Sequence, residues 1–328
     1  MTAPNKDVKL PVDCIVDAHV HVPRQGVDGA SVKNMMKLLI HSGIGGVVFL
    51  GVPDFSSVVS SIDYSSIERE YERVKRLVEK YAWDVRDYLE PQQLYMASLA
   101  MAREYGPICG EGVASVVENV DIMAAVDLSM DIEELARWLR ETRSKGFGGY
   151  KILSTLYMTG LDDERVELVL DEANRRGLPV VIHGGCDPGI WELPAYCKYG
   201  DPSKLAPILG MYRDVDVVIA HAGGYSAIAP GVFMEETLEL ARRFSNVYVD
   251  TSALPPSIAA RAAMTFPRAI YGSDYPVVVK DKITQSALGY AEEVLINMML
   301  LGASKGKIKD FTYKTAENVF NLECRSIF

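Results

Sequence analysis

The sequence predicts an α/β protein with a (β/α)8 TIM barrel, and three observations carry that prediction. Eight short runs rich in β-branched residues recur from end to end, at 14–22, 45–52, 120–128, 148–154, 179–185, 215–224, 246–253 and 269–276. They are apolar almost throughout, as expected of parallel strands that are covered on both faces. Helical periodicity separates them from about residue 120 onward, and eight strands exceed the roughly five or six of a doubly wound sheet.

Two of the intervening helices carry complete start and stop signals. The segments 131–146 and 162–177 place apolar residues at i, i+3, i+4 and i+7, begin with acidic residues and end at Gly146 and Gly177. This is the pattern of an amphipathic helix that packs one face on a sheet.

The segment 53–119 is too long for a single crossover and predicts a helical insertion after the second strand. A long helix is expected over 67–89, followed by an irregular stretch over 94–112. Periodicity leaves strand and helix open for 92–102. We expect the whole chain, 1–328, to form one domain, because barrels of this class commonly run to about 250 residues or more.

Composition excludes several classes of protein. The chain has 34 Lys and Arg against 44 Asp and Glu, a net charge of -10, which argues against binding to nucleic acid or to anionic membranes. No apolar run approaches the roughly 18 residues of a membrane span, and residues 1–13 lack the pattern of a secretory signal. We therefore expect a cytoplasmic protein that acts on a small molecule, and homo-oligomerisation is a weaker expectation.

The cysteines are odd in number, scattered and without a C-x-x-C pair, which predicts reduced thiols rather than a disulfide framework. They are Cys14, Cys109, Cys186, Cys197 and Cys324.

Side chains that can bind a metal cluster at the ends of predicted strands. His19 and His21 lie two apart on the first strand, so both side chains point to one side. His183, His221 and Asp274 close the fifth, sixth and eighth strands. Three histidines and a carboxylate suit a zinc-like ion and leave a position for water or substrate. The remaining histidine, His41, is expected at the end of the first helix, where the macrodipole favours it.

The motifs VDAHVHV, RSKGFGGYKI, RRGLPVVIHGG, VVIAHAGG, NVYVDTS, IYGSDYP and KTAENVFNL occur in this order from residue 16 onward. In this respect the chain resembles the amidohydrolase superfamily, within it the branch that includes aminocarboxymuconate-semialdehyde decarboxylase. The resemblance implies that His19, His21, His183 and Asp274 bind one divalent metal ion, zinc. It also implies that His221 is the catalytic histidine, and Asp274 can accept the proton of a metal-activated water.

Lys151 leaves the number of metal ions open. It closes the fourth strand, where two-metal relatives carry a carboxylated lysine that bridges the ions, although one-metal relatives also keep a lysine in similar segments. In a two-metal site Lys151 would be a bridging ligand and His221 would bind the second ion.

The function expected from this site is hydrolysis of a C–N or C–O bond in a small carbonyl compound. The alternative is a metal-dependent decarboxylase that acts on a small unsaturated or aromatic carboxylate. A residue that binds an anionic substrate, such as Arg24, would favour this alternative, whereas a carboxylated Lys151 would favour hydrolysis. A barrel without catalysis is a third hypothesis, and the completeness of the site argues against it. Candidate substrate contacts in the loops are Arg24, Tyr157, Trp191, Tyr225, Ser252 and Tyr275.

Overall fold

The computed structural model describes residues 12–21, 44–80, 90–104, 120–277 and 283–324. Eight strands form one sheet in chain order, and each strand is parallel to the next. The strands are β1 Val16–Val20, β2 Gly46–Leu50, β3 Val120–Ala125, β4 Gly149–Ile152, β5 Val180–Ile182, β6 Val217–Ile219, β7 Val247–Asp250 and β8 Ala269–Ile270.

The chain that follows β8 closes the sheet against β1. Tyr271 and Tyr275 accept hydrogen bonds through their carbonyl oxygens from the backbone N–H groups of Ala18 and His21, at 3.0 and 2.8 Å. Between them, Asp274 donates its N–H to the carbonyl oxygen of His19 at 2.9 Å. The predicted (β/α)8 barrel is thus confirmed, and its closure places Asp274 beside His19.

The helices lie between the strands and after the last one. Their bounds are α1 Ser56–Ser61, α2 Tyr64–Lys80, α3 Pro91–Glu104, α4 Ile132–Thr142, α5 Glu164–Arg176, α6 Pro194–Cys197, α7 Ala206–Leu209, α8 Met234–Arg243, α9 Pro256–Thr265, α10 Ile283–Leu300, α11 Lys305–Lys309 and α12 Thr315–Val319. Across the described ranges, no helix combines the length and the apolar character needed to cross a membrane.

The two helices with complete signals form as predicted. Asp163 caps α5 by accepting a hydrogen bond from the N–H of Arg165 at 3.0 Å, and Gly177 ends it with a φ of 64°. A 3-10 turn follows α4 and ends at Gly146 with a φ of 74°. Glycine adopts this left-handed conformation without the penalty that a side chain incurs.

The described parts of the insertion after β2 contain the helices α1 to α3, as predicted. The irregular stretch expected over 94–112 is wrong as far as residue 104, because α3 extends to Glu104, and α3 settles the open question over 92–102 as helix. Leu94, Ser98 and Ala102 are buried at a spacing of four residues, which puts them on one helix face. Ser98 accepts a hydrogen bond from the N–H of Ile190, so this face packs on the loop after β5. The helix expected over 67–89 is observed as α2, and residues 81–89 lie outside the described ranges.

Alternate residues of the strands face two different clusters. Val180 and Ile182 face the surrounding helices, whereas Val181 belongs to a second cluster with Val48 and Phe320. The C-terminal segment from Tyr313 to Leu322 joins this second cluster. It therefore closes the end of the barrel that lies opposite the carboxyl ends of the strands.

The cysteine prediction is wrong for four of the five residues. Cys14 and Cys324 form one disulfide across a sequence separation of 310, and Cys186 and Cys197 form another across 11 residues. Sequence spacing did not indicate the first pair because only closure of the barrel brings the two ends of the described chain together. The remaining cysteine, Cys109, lies outside the described residues.

We expect the terminal disulfide to stabilise the barrel. Replacing both partners, Cys14→Ser with Cys324→Ser, should lower the free energy of unfolding by roughly 2–4 kcal/mol, because the unfolded chain regains the freedom that the bond removes. Denaturant titration without reductant measures this change. Thiol titration of denatured, unreduced wild type should find one free thiol per chain, and five would contradict both disulfides.

Candidate active site

The predicted site residues meet at the carboxyl ends of the strands. His19 lies within β1, and His183 and His221 follow β5 and β6. These histidines, His21 and Asp274 are all buried and line one cavity, which with its opening holds about 440 Å³ of empty space. In a parallel barrel this is the face on which catalytic residues are found.

Three of the histidines are held through Nδ1 by oxygen atoms. Nδ1 of His19 lies 2.9 Å from Oδ2 of Asp250, and Nδ1 of His21 lies 2.9 Å from the carbonyl oxygen of Leu50. Nδ1 of His221 lies 3.1 Å from the carbonyl oxygen of Ser252. Carbonyl and carboxylate oxygens only accept, so Nδ1 carries the proton in each ring and Nε2 keeps its lone pair.

The lone pairs of His19 and His21 converge on a carboxylate. Nε2 of His19 and Nε2 of His21 are 3.2 Å apart, and Oδ1 of Asp274 lies 3.3 and 3.2 Å from them. Three acceptors at this spacing repel one another unless a cation or an extra proton lies between them. The donor set and its burial therefore fit a divalent metal ion.

His183 faces the same cavity from a greater distance. Among the described residues, it is absent from the groups whose ligand atoms all lie within 4.8 Å of one another. Its Nε2 is buried without a hydrogen-bond partner and lies 3.3 Å from Oδ2 of Asp187 without hydrogen-bond geometry. An unsatisfied imidazole nitrogen aimed into a metal-type cavity is compatible with the ligand role expected for His183.

Asp250 organises the site and was missed by the sequence reasoning. Besides His19, it accepts hydrogen bonds through Oδ1 from the N–H of His221 at 3.0 Å and from the N–H of Ser252 at 3.1 Å. The hydroxyl of Ser252 also donates to it. The available signal was an acid at the very end of the seventh apolar run, in NVYVDTS.

Asp17 holds the backbone next to Asp274 in position, as Asp250 does for the histidines. Its carboxylate accepts hydrogen bonds from the N–H and the hydroxyl of Ser273, at 2.9 and 2.6 Å. Gly272 permits the close approach of the two strands, because a Cβ there would lie 2.8 Å from Cβ of His19. Asp274 then adopts a left-handed φ of 61°, and His221 one of 56°. Non-glycine residues hold this conformation where the surrounding structure imposes it.

Burial lowers the pKa of three of the imidazoles, those of His19, His183 and His221, and so favours their neutral form. It is the largest cause that lowers the pKa of His183 to about 3, and the Lys151 ammonium is the next. Burial also lowers the pKa of His19 and of His221 well below the ordinary value. Neutral imidazole is the form that binds a metal ion. Burial lowers the pKa of Lys151 to about 8, against the attraction of three nearby carboxylates.

The predicted substrate contacts are placed in different surroundings. Tyr225 lines the cavity, with its ring centroid 5.2 Å from that of His221. Trp191 is buried against Phe55, at 5.5 Å between ring centroids. Tyr157 and Tyr275 are also buried, and neither they nor Trp191 are among the described residues that line the cavity.

Ser252, another predicted substrate contact, is not among the described residues that line the cavity. Ser252 acts on the site through His221, which its hydroxyl and carbonyl oxygens hold. Arg24 and His41 lie outside the described residues.

Asp187 is a second cavity residue that the sequence reasoning missed. It follows His183 by four residues, and its Oδ2 accepts a hydrogen bond from the hydroxyl of Thr155. Burial raises its pKa to about 6. Apolar side chains complete the wall of the cavity, and they are Val52, Met101, Leu153, Leu156, Pro188 and Val277.

Solved structures with this fold include both decarboxylases and a hydrolase. 5-Carboxyvanillate decarboxylase from Sphingomonas paucimobilis matches with 12% identity and a TM-score of 0.56 over 94% of this chain and 99% of that chain. A dihydroxybenzoic acid decarboxylase from Polaromonas, solved with manganese and an inhibitor, matches with 14% identity and a TM-score of 0.55 over 94% and 97%.

A probable 2-pyrone-4,6-dicarboxylic acid hydrolase from Acinetobacter baumannii matches with 14% identity and a TM-score of 0.52 over 94% of this chain and 99% of that chain. At such identities the likeness concerns the fold. A comparison with curated proteins finds no match.

The family assignment rests on the sequence itself. The family model described as amidohydrolase matches residues 16–322, which includes all eight strands and every described site residue. The chain therefore belongs to the amidohydrolase family.

Proposed function

We propose that this protein is a metal-dependent hydrolase that uses water to cleave a C–N or C–O bond of a small carbonyl compound. The observation that carries the proposal is the convergence of His19 Nε2, His21 Nε2 and Asp274 Oδ1 within 3.2–3.3 Å of one another. Each is an acceptor, and each histidine has its proton committed to Nδ1. Such a group is arranged to hold a cation.

His19, His21, His183 and Asp274 would hold the ion, which we propose to be one zinc. When bound, it supplies Lewis acidity, which lowers the pKa of water toward neutrality and polarises a carbonyl group. Lys151, unmodified, carries a positive charge and is therefore assigned no role as a metal ligand.

The residues of the chain provide the proton transfers. Asp274 lies at the convergence point, where its carboxylate can accept a proton from the attacking water and later return it to the leaving group. His221 lines the same cavity with its proton fixed on Nδ1, so its Nε2 acts first as an acceptor that orients the water. Decarboxylation instead requires a donor to the carbon that loses CO2, and this difference favours hydrolysis.

A decarboxylase is the second candidate, and the Lys151 side chain favours it. Its buried ammonium lines the cavity, where it would attract a carboxylate. The solved structures that share the fold include decarboxylases for aromatic carboxylates. Both reactions use the same side chains, so the fate of water distinguishes them.

Isotope labelling tests the proposal directly. The zinc-loaded protein is screened against lactones, amides and aromatic carboxylates in water labelled with heavy oxygen, and again in heavy water. Hydrolysis should place one heavy oxygen in the product carboxyl group. Release of CO2 with deuterium on the carbon that had carried the carboxyl group would establish the decarboxylase, and a protein inactive on the whole panel would argue against both.

We expect metal binding to require His21 and not to require Lys151. Elemental analysis should find one divalent ion per chain. Two groups of possible ligands occur among the described residues, but in the second, His19, His221 and Asp250, Nδ1 of each ring donates to an oxygen atom, which leaves the group of His19, His21 and Asp274 to bind the ion. His21→Ala should lose the ion, since it removes one of the three central atoms, and Lys151→Ala should keep it. Two ions that depend on Lys151 would overturn the one-metal proposal.

Asp250 is expected to control metal affinity without touching the ion. Asp250→Asn should weaken zinc binding by roughly 10- to 100-fold, because the amide no longer fixes the ring of His19 as a carboxylate does. Competition with a fluorescent zinc chelator measures the affinity.

The matched control for Asp250→Asn is Asp121→Asn. Asp121 is a buried carboxylate at the start of β3 that accepts a hydrogen bond from the N–H of Asn321. Equal loss of zinc affinity in the two variants would show a general loss of folding rather than a role of Asp250 in the site.

A further inference from the structure

Lys151 places a buried cation in the wall of the catalytic cavity. It lies on β4, is 0% exposed and lines the cavity with His183 and Asp187. Within the described part of the chain, its Nζ has no hydrogen-bond partner. An ammonium group that leaves water without gaining acceptors is costly, because its three N–H donors stay unsatisfied.

The carboxylates around Lys151 contact other groups, and none of them hydrogen-bonds its Nζ. Asp187, Asp250 and Asp274 attract the ammonium through space. Asp187, however, accepts the hydrogen bond of Thr155, and Asp250 serves the backbone and side chains that hold the histidines. Asp274 lies at the convergence of the two imidazoles of β1. A molecule that enters the cavity with an anionic oxygen group would supply the acceptor that the described residues do not.

The other residues that line the cavity indicate the chemical character of the rest of the bound molecule. Six apolar side chains line the cavity together with the ring of Tyr225. A ligand that satisfies both parts has an apolar or aromatic body and one anionic oxygen group. The negative group lies where the ammonium can bind it, and the body lies against the apolar wall.

We propose that Lys151 is the specificity-determining residue of this site and binds a carboxylate of the substrate. The inference rests on the proposed function and narrows its substrate to small carbonyl compounds that carry a carboxylate. Lysine suits this role as a compact point charge on an extended stem. The strand that carries it is buried and hydrogen-bonded to both neighbouring strands, which holds the position of the charge.

Binding of benzoate tests this inference without turnover. The zinc-loaded full chain is titrated calorimetrically with benzoate and with benzyl alcohol, and with acetate and acetamide as smaller probes. Wild type should prefer the carboxylate of each pair by roughly 10- to 100-fold, the range of a charge-assisted hydrogen bond. Lys151→Met, which keeps the stem and removes the charge, should lose that preference.

Lys305→Met is the matched control, because it removes one exposed lysine outside the cavity. It should retain the preference of wild type. Lys151→Met should also retain zinc and melt no lower than wild type, since it removes an unsatisfied buried charge.

Zinc content separates the two proposals. If wild type binds no zinc, the proposed hydrolase fails. If zinc binds, three results overturn the role of Lys151: equal carboxylate preference in wild type and Lys151→Met, no binding of either carboxylate probe, or a native intact mass with one added CO2 in wild type that Lys151→Met lacks. A carboxylated lysine is an anion and cannot bind a carboxylate.

Discussion

Repulsion between acceptors is the physical constraint on which the rest of this site depends. His19, His21 and Asp274 bring two lone pairs and a carboxylate oxygen within 3.2–3.3 Å, in a buried place where water does not screen them. The fold must hold these atoms together against a repulsion that a bound cation would relieve. The barrel does so by building each of them into backbone that hydrogen bonds and packing keep in place.

Two carboxylates outside the group of His19, His21 and Asp274 hold these atoms in position. Asp250 joins the ends of β1, β6 and β7, and Asp17 joins the start of β1 to the chain after β8. Through them His221 and Asp274 are held at left-handed φ values, each of which costs about 1–3 kcal/mol. The packing and hydrogen bonding of the buried strands and helices around the barrel offset this cost.

The insertion after β2 contributes to the site as well as to the fold. α3 packs on the loop after β5 through Ser98 and supplies Met101 to the cavity wall. That loop also carries Asp187, so the insertion, the apolar wall and a polar cavity residue form one continuous structure. The cavity is therefore lined by both apolar and charged side chains, and Lys151 is one of the charged ones.

The sequence by itself determined the barrel, because eight apolar runs ending in polar residues can be covered on both faces in few other ways. It also predicted that His19, His21 and Asp274 lie close together, since the carboxyl ends of parallel strands meet at one end of the barrel. The contacts of Asp250, the buried position of Lys151 and the terminal disulfide were decided by the tertiary structure. Each depends on residues that are distant in sequence, and such contacts depend on which side chains the closed barrel brings together.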